Sequence, residues 1–229
     1  ASFGFCKAHA AAFALPTYQS AWLKTHHPAA FIAGLLTHDP GMYPKRLILD
    51  EARQMGLTIA PIDVNKSDSK TRVENNGIRI SLSDLSGISG EEVKKIVAGQ
   101  PYLDLADFYR RSGASFPTTE KLILTGGFDE LHNLDASKIN RRDLLLHLAE
   151  LDKSPAAPLP GSQLTFGFEP PALIASGLPD LKKSERVRHE VAELGMEVSE
   201  HLLKPFYGQL SKIGAVRSCD LIKQRSGAE

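Results

Sequence analysis

The chain is short of cysteine, of long apolar runs and of net charge, and each shortage narrows what it can be. Its 229 residues include two cysteines, Cys6 and Cys219, at opposite ends of the sequence. Thiols so placed are no disulfide framework and fit a reducing compartment. No stretch reaches the about 18 apolar residues of a membrane span, and the start lacks the basic-then-apolar pattern of a secretory signal. A soluble, cytoplasmic protein is expected. Lys+Arg and Asp+Glu each total 27, so no global field draws the chain toward nucleic acid. Any contact with a polyanion has to be local.

Metal chemistry is equally thin. No Asp-x-Asp pair offers paired carboxylates to two divalent ions, and Cys6 and His9 belong to no cluster with metal-ligand spacing. Asp104 with Asp107 comes nearest, and with Phe108 behind them they read as the solvated face of a helix. What the sequence does have is a core: 42% of its residues are apolar, enough for one large domain or two small ones. It begins at Ala1 and enters at Phe3-Gly4-Phe5-Cys6-Lys7 with no polar leader, as a longer protein cut inside an element would.

Spacing predicts mostly helix. Ala11, Leu15, Tyr18 and Trp22 share one face of a helix over residues 8–26, read as buried, with a kink or a break expected at Pro16. Residues 28–36 form a second apolar helix. A third starts at Pro44, faces inward with Ile48, Ala52 and Met55, and stops at Gly56. Residues 57–61 look extended and residues 63–70 read as a polar loop. From Ile78 onward two short helices are expected to flank Leu85-Ser86-Gly87-Ile88-Ser89-Gly90, the second carrying Val93, Ile96 and Val97. Leu105 with Phe108, and Leu122 with Ile123, mark further helices, the latter ending at Thr125-Gly126-Gly127-Phe128. An amphipathic helix over residues 140–151 follows. Residues 155–171 are dense in proline and glycine and read as a linker. Beyond it, residues 184–195 and 201–213 look helical, and residues 216–225 begin another helix.

The turn at residues 85–90 matches the helix-hairpin-helix pattern, in which Gly-hydrophobic-Gly lets helix-start N–H groups meet a nucleic-acid phosphate without reading sequence. Here Ser89 stands in place of the second glycine, and Ser89 with Glu92 makes a capping box that can satisfy the helix start from within. Glu91 and Glu92 put negative charge where a phosphate would sit. A structural hairpin therefore stands beside a DNA-contacting one built on Gly87, Ser89, Gly90, Lys94 and Lys95. The second turn, Gly126-Gly127-Phe128, is followed by Asp129 and Glu130 and carries the same ambiguity, with Phe128 read as a core plug. Arg110 and Arg111 are the other nearby cations.

The run from Phe3 through Lys7, His9 and Phe13, continuing by Tyr18 and Trp22 to His27-Pro28, closely resembles the late fingers region of the C family of DNA polymerases, the bacterial DNA polymerase III alpha subunits. The likeness continues through Pro61-Ile62-Asp63-Val64-Asn65, both hairpins, and Glu193-Leu194-Gly195-Met196. It implies the end of a fingers domain at residues 1–68, a tandem helix-hairpin-helix domain at 69–152, a linker at 153–182, and a helical segment at 183–229 leading toward an OB-type domain. It implies that Lys7 and His9 match the fingers' Lys-x-His, suited to nucleotide phosphates or primer-template DNA. It also implies a DNA-directed DNA polymerase that uses dNTPs and Mg2+, whose metal-binding aspartates precede this piece. Gln163 and Phe166 fall where the family carries a sliding-clamp peptide, although Gly167 replaces the final aromatic. Pro16 and Met42-Tyr43-Pro44-Lys45-Arg46 look more like the error-prone, damage-tolerant paralogue than the main replicase. Two other readings stay open: an autonomous, non-enzymatic hairpin module that binds DNA, and a helical domain that docks on a protein partner.

Overall fold

Leu49, Ala52, Ile62, Val64, Ile78, Ile80, Ile96, Phe108, Phe128, Leu144 and Leu148 come from distant parts of the chain and are buried in one hydrophobic core. The computed structural model describes residues 6–134, 138–154 and 171–223. Nine α-helices and one small sheet enclose that core among the described residues: α1 (Lys7–His26), α2 (Pro28–His38), α3 (Lys45–Gln54), α4 (Gly90–Gly99), α5 (Leu105–Arg111), α6 (Phe116–Leu124), α7 (Arg141–Lys153), α8 (Lys183–Leu194) and α9 (Tyr207–Lys212). The protein is mostly α, as its periodicity predicts. No helix among the described residues is long and apolar enough to cross a membrane.

The sheet was not foreseen beyond its first strand. Strands β1 (Thr58–Ala60), β2 (Arg72–Glu74) and β3 (Gly77–Arg79) lie in the order β1-β3-β2, with β1 parallel and β2 antiparallel to β3. Three-residue strands fall below the length at which alternation is visible in a sequence. Gly77 sits opposite Thr58, where a Cβ would lie 2.0 Å from the Thr58 carbonyl oxygen, so only glycine permits this pairing. Helices α2 and α3 pack on the sheet through Ile32, Leu36, Ile48 and Leu49.

The polar loop at residues 63–70 is no surface connection. Asp63 and Ser67 are buried, and Ser67 donates to the Ile80 carbonyl at 2.8 Å while accepting from the Asp63 N–H at 3.0 Å. Asn65 accepts from the Tyr102 N–H at 2.7 Å and donates to the Tyr102 carbonyl at 2.9 Å. The Val64 N–H donates to the Gly127 carbonyl at 3.0 Å. The loop thus joins the sheet, the turn after α4 and the second glycine hairpin.

Helix α1 departs from expectation twice. None of its residues is buried; Tyr18 is 70% and Trp22 45% exposed, and its packing is on α2. The apolar stripe is real, but alanines cover the other faces too, so the helix has little contrast with which to choose a buried side. It also runs unbroken through Pro16. Its exposure lets water take the acceptor that proline leaves unpaired, and the Thr17 hydroxyl donates to the Phe13 carbonyl at 2.7 Å.

Two smaller expectations fail. Only a 3-10 turn, Leu82–Asp84, precedes the first hairpin, held by Ser81 and Asp84, where a helix was expected. The stretch 201–213 holds a 3-10 turn, Lys204–Phe206, before the short α9, because Pro205 cannot continue a helix entered from upstream. Residues 171–182 have no regular structure, yet the Ser176 N–H and hydroxyl both donate to Asp143, and Leu173 packs against the core. Helix α8 and the turn after it bring Leu194, Met196 and Val198 to the same core, and Arg53 donates to the Glu197 carbonyl at 2.6 Å.

Phe128 is fully buried as expected, edge-on to Phe108 with ring centroids 5.0 Å apart. Phe128→Ala is expected to lower unfolding free energy by about 3–5 kcal/mol in urea denaturation of the whole chain. His132 accepts from the Leu105 N–H through Nε2 at 3.2 Å. Burial pushes its pKa down, Asp104 opposes this, and the neighbouring His147 adds to the depression. A histidine held neutral by the fold contributes stability that is present above the unfolded value of about 6.5 and is lost as pH falls below it through the lower folded value. The urea midpoint should therefore fall as pH drops below about 6.5, and less steeply in His132→Gln.

Candidate nucleic-acid interface

The first hairpin is built from the start of α4. Ser89 caps the helix: its hydroxyl accepts from the Glu92 N–H at 3.1 Å, and Glu92 accepts from the Ser89 N–H at 3.0 Å. The capping box read from the sequence is present. Gly87 turns the chain at φ 79°. The Ser86 N–H donates to the Glu193 carbonyl at 2.7 Å, and Lys121 donates to the Ser86 carbonyl at 2.7 Å while pairing with the Glu193 carboxylate at 3.0 Å. Helices α6 and α8 therefore grip one side of the hairpin, a role for Lys121 and Glu193 that no local pattern announces.

Glu92 does more than cap α4. Its Oε1 also accepts from the Ser115 N–H and the Thr118 hydroxyl, each at 3.0 Å, at the start of α6. Ser115 caps α6, accepting from the Thr118 N–H, with Pro117 in the first turn. Burial pushes the Glu92 carboxyl up, but the Ser115 and Ser89 amides and the Thr118 and Ser115 hydroxyls outweigh it and hold the group at about 2. It stays ionised at any physiological pH.

Of the nearby cations, Lys94 is paired with Glu91 at 2.7 Å, and both are largely exposed, so the pair is weak and readily exchanged. Lys95 is exposed with no ion pair among the described residues and lies along Gly113. Arg111 is committed elsewhere: it pairs with Asp107, donates to the Gly99 and Pro101 carbonyls, and stacks over Tyr102 at 4.8 Å. Asp104 caps α5 by accepting from the Asp107 N–H at 2.7 Å. Neither of these carboxylates is placed to hold an ion, and no group of three or more His, Cys, Asp or Glu among the described residues could do so.

The second hairpin spends its polar groups inward. The Gly126 and Gly127 N–H groups donate to the Ile123 and Leu122 carbonyls at 3.1 and 2.7 Å. Asp129 accepts from Arg141 Nε and Nη2, one edge of the guanidinium, at 3.0 and 2.6 Å, and Arg141 Nη1 donates to the Leu124 carbonyl at 2.6 Å. Arg141 is buried, and a Cβ at Gly126, whose φ is 92°, would lie 2.6 Å from its Nη2. The acid after this turn is thus neutralised in place. Glu130 pairs with Lys66.

Lys7 and His9 lie in the first turn of α1, exposed, with the His9 ring 4.6 Å from Phe13 and no acid in that turn. His26 and His27 sit at the other end against Trp22, at 4.6 and 5.5 Å, at the negative end of the helix dipole. Gln163 and Phe166 lie outside the described residues.

Comparison with known proteins places these features. Residues 56–144 match the helix-hairpin-helix motif family, spanning the sheet and both glycine turns. An error-prone DNA polymerase of Corynebacterium diphtheriae is 33% identical over 222 residues, 96% of this chain and 20% of that protein. A DNA polymerase III subunit alpha of Caulobacter vibrioides is 30% identical over 100% of this chain and 21% of its own length. An error-prone DNA polymerase of Dechloromonas aromatica reaches 44% identity over 48% of the chain and 11% of its own length. The chain thus spans about a fifth of the length of the first two. With end-to-end similarity to two such proteins and the hairpin motif at its centre, the chain is homologous to the bacterial error-prone DNA polymerases and DNA polymerase III alpha subunits.

Proposed function

We propose that the chain is a DNA-handling part of a DNA-directed DNA polymerase that extends a primer with dNTPs, in replication or damage-tolerant synthesis. The observation that carries this is homology to error-prone and DNA polymerase III alpha proteins over 96% and 100% of the chain. Two structural features support it. Lys7 is exposed at the positive end of a 20-residue helix with no acid in its first turn, where helix dipole and side-chain charge both favour an anion. The hairpin unit offers Lys94, Lys95 and the turn through Gly87, Ser89 and Gly90 as a sequence-independent contact with primer-template backbone. The Gly126-Gly127 turn serves the same unit by holding its core.

In this reading residues 1–68 end a fingers domain, 69–152 form the tandem hairpin domain, 153–182 connect, and 183–229 lead toward an OB-type domain. Gln163 and Phe166 would engage a sliding clamp, and replisome or mutasome subunits would be the other partners of a cytoplasmic enzyme. The divalent ion of such a polymerase does not fit the carboxylates described here, since Asp104 caps a helix and Asp107 is held by Arg111. Its ligands are assigned outside this chain, and no chemical step runs through these residues. Exposed α1 favours this over an autonomous module, because an apolar stripe with none of its residues buried suits a helix that belongs to a larger body.

The chain alone is expected to give no primer extension with Mg2+ and all four dNTPs; robust extension by rigorously purified protein would overturn the assignment of the metal ligands elsewhere. In the whole polymerase, Lys7→Ala and His9→Ala should each weaken dNTP use about tenfold in kcat/KM, the scale of one hydrogen bond to a charged group. Unchanged kinetics in both variants would remove these residues from the nucleotide site.

A further inference from the structure

Glu92 stands where two helices begin. The starts of α4 and α6, 10 and 9 residues long, converge on its carboxylate, which accepts from the Ser89 N–H, the Ser115 N–H and the Thr118 hydroxyl. In a hairpin of this type the helix-start amides are the groups that would receive a phosphate oxygen. Here an internal anion takes the cap amides of both helices, Ser89 and Ser115, while the Ser89 hydroxyl takes the Glu92 amide, and that anion lies three residues from the cap of the turn that would face DNA.

We infer that Glu92 is a specificity-determining residue for DNA contact: it is the anion around which this corner of the hairpin unit is built, and it keeps a backbone phosphate off the α4 start. Contact then falls to Lys94, Lys95 and the Gly87 turn, and is held weak. Lys94 is itself drawn to Glu91, the second acid of the same helix start. Like-charge repulsion across about 5 Å of well-solvated surface is on the order of 1 kcal/mol, a severalfold effect on affinity. Such restraint suits a unit that has to follow a moving duplex without gripping one position. The inference rests on the reading that the hairpin unit faces DNA.

The test is fluorescence anisotropy of the full chain with a fluorescent DNA duplex across a salt series. Glu92→Gln keeps the side chain's shape and one of its two acceptor oxygens but loses the charge. It should bind about threefold tighter at low salt, and the slope of log affinity against log salt should steepen by up to about one. Ser115→Asp keeps a good cap on α6 and adds a second carboxylate at the corner. It should bind about threefold more weakly, and it decides the matter if Glu92→Gln does not reach a native circular-dichroism spectrum. Wild-type binding with a folded Glu92→Gln that binds equally or less well would overturn the inference and leave the DNA reading standing, as would wild-type affinity in Ser115→Asp. No binding by wild type or variants even at low salt would overturn the DNA reading and the inference with it.

Discussion

The side-chain amide of Asn65 and the backbone of Tyr102 hydrogen-bond in both directions, and the rest of the fold is arranged around that tie. It copies a strand pairing with one side chain, and it fixes where the sheet meets the helices. On either side of it, the Val64 N–H reaches the second hairpin at Gly127, and Gln100 donates to the Val64 and Ser67 carbonyls. Buried polar groups of this kind are costly unless each finds its partner, and here the partners come from three separate parts of the chain. The two glycine hairpins are therefore not independent modules strung on a line. They are spaced by a loop whose side chains act as the frame.

Much of this was legible in the sequence, and what was not has physical reasons. The third helix, with Ile48 and Ala52 inward and Gly56 at its end, follows from spacing and stop signals alone. So do the Ser89–Glu92 capping box and the burial of Phe128, because they depend on residues close in sequence or strongly apolar. The short strands were hidden by their length, and the importance of residues 63–67 by their polarity, which reads as solvent exposure until their partners are known. Lys121 and Glu193 were invisible as hairpin contacts because Lys121 stands 35 positions from Ser86 in the chain. Family resemblance supplied Lys7 and His9; no pattern of charge or period would have chosen them over the other exposed cations.

The two hairpins illustrate how one local motif can be used in two ways. At the first, the helix start is capped by Ser89 and by a carboxylate that also binds the start of α6, and the turn remains at the surface. At the second, the same kind of turn is drawn into the core by Phe128, and its acid is matched by a buried guanidinium. The sequence pattern is similar, and the difference lies in which partner answers the acid that follows. Helix α1 stands apart from both, with its apolar stripe in solvent and the proline it tolerates for that reason.

The arginine at position 141 leaves a mark on what the family can become. Its guanidinium fills the volume a side chain at position 126 would need, and it is matched in charge by the residue at 129. Glycine, aspartate and arginine at these three positions are physically coupled: losing the arginine would strand the aspartate, losing the aspartate would strand a buried cation, and the glycine is held in either case by its φ of 92°. A change at position 129 therefore calls for one at 141, and the turn at 126 stays glycine through both.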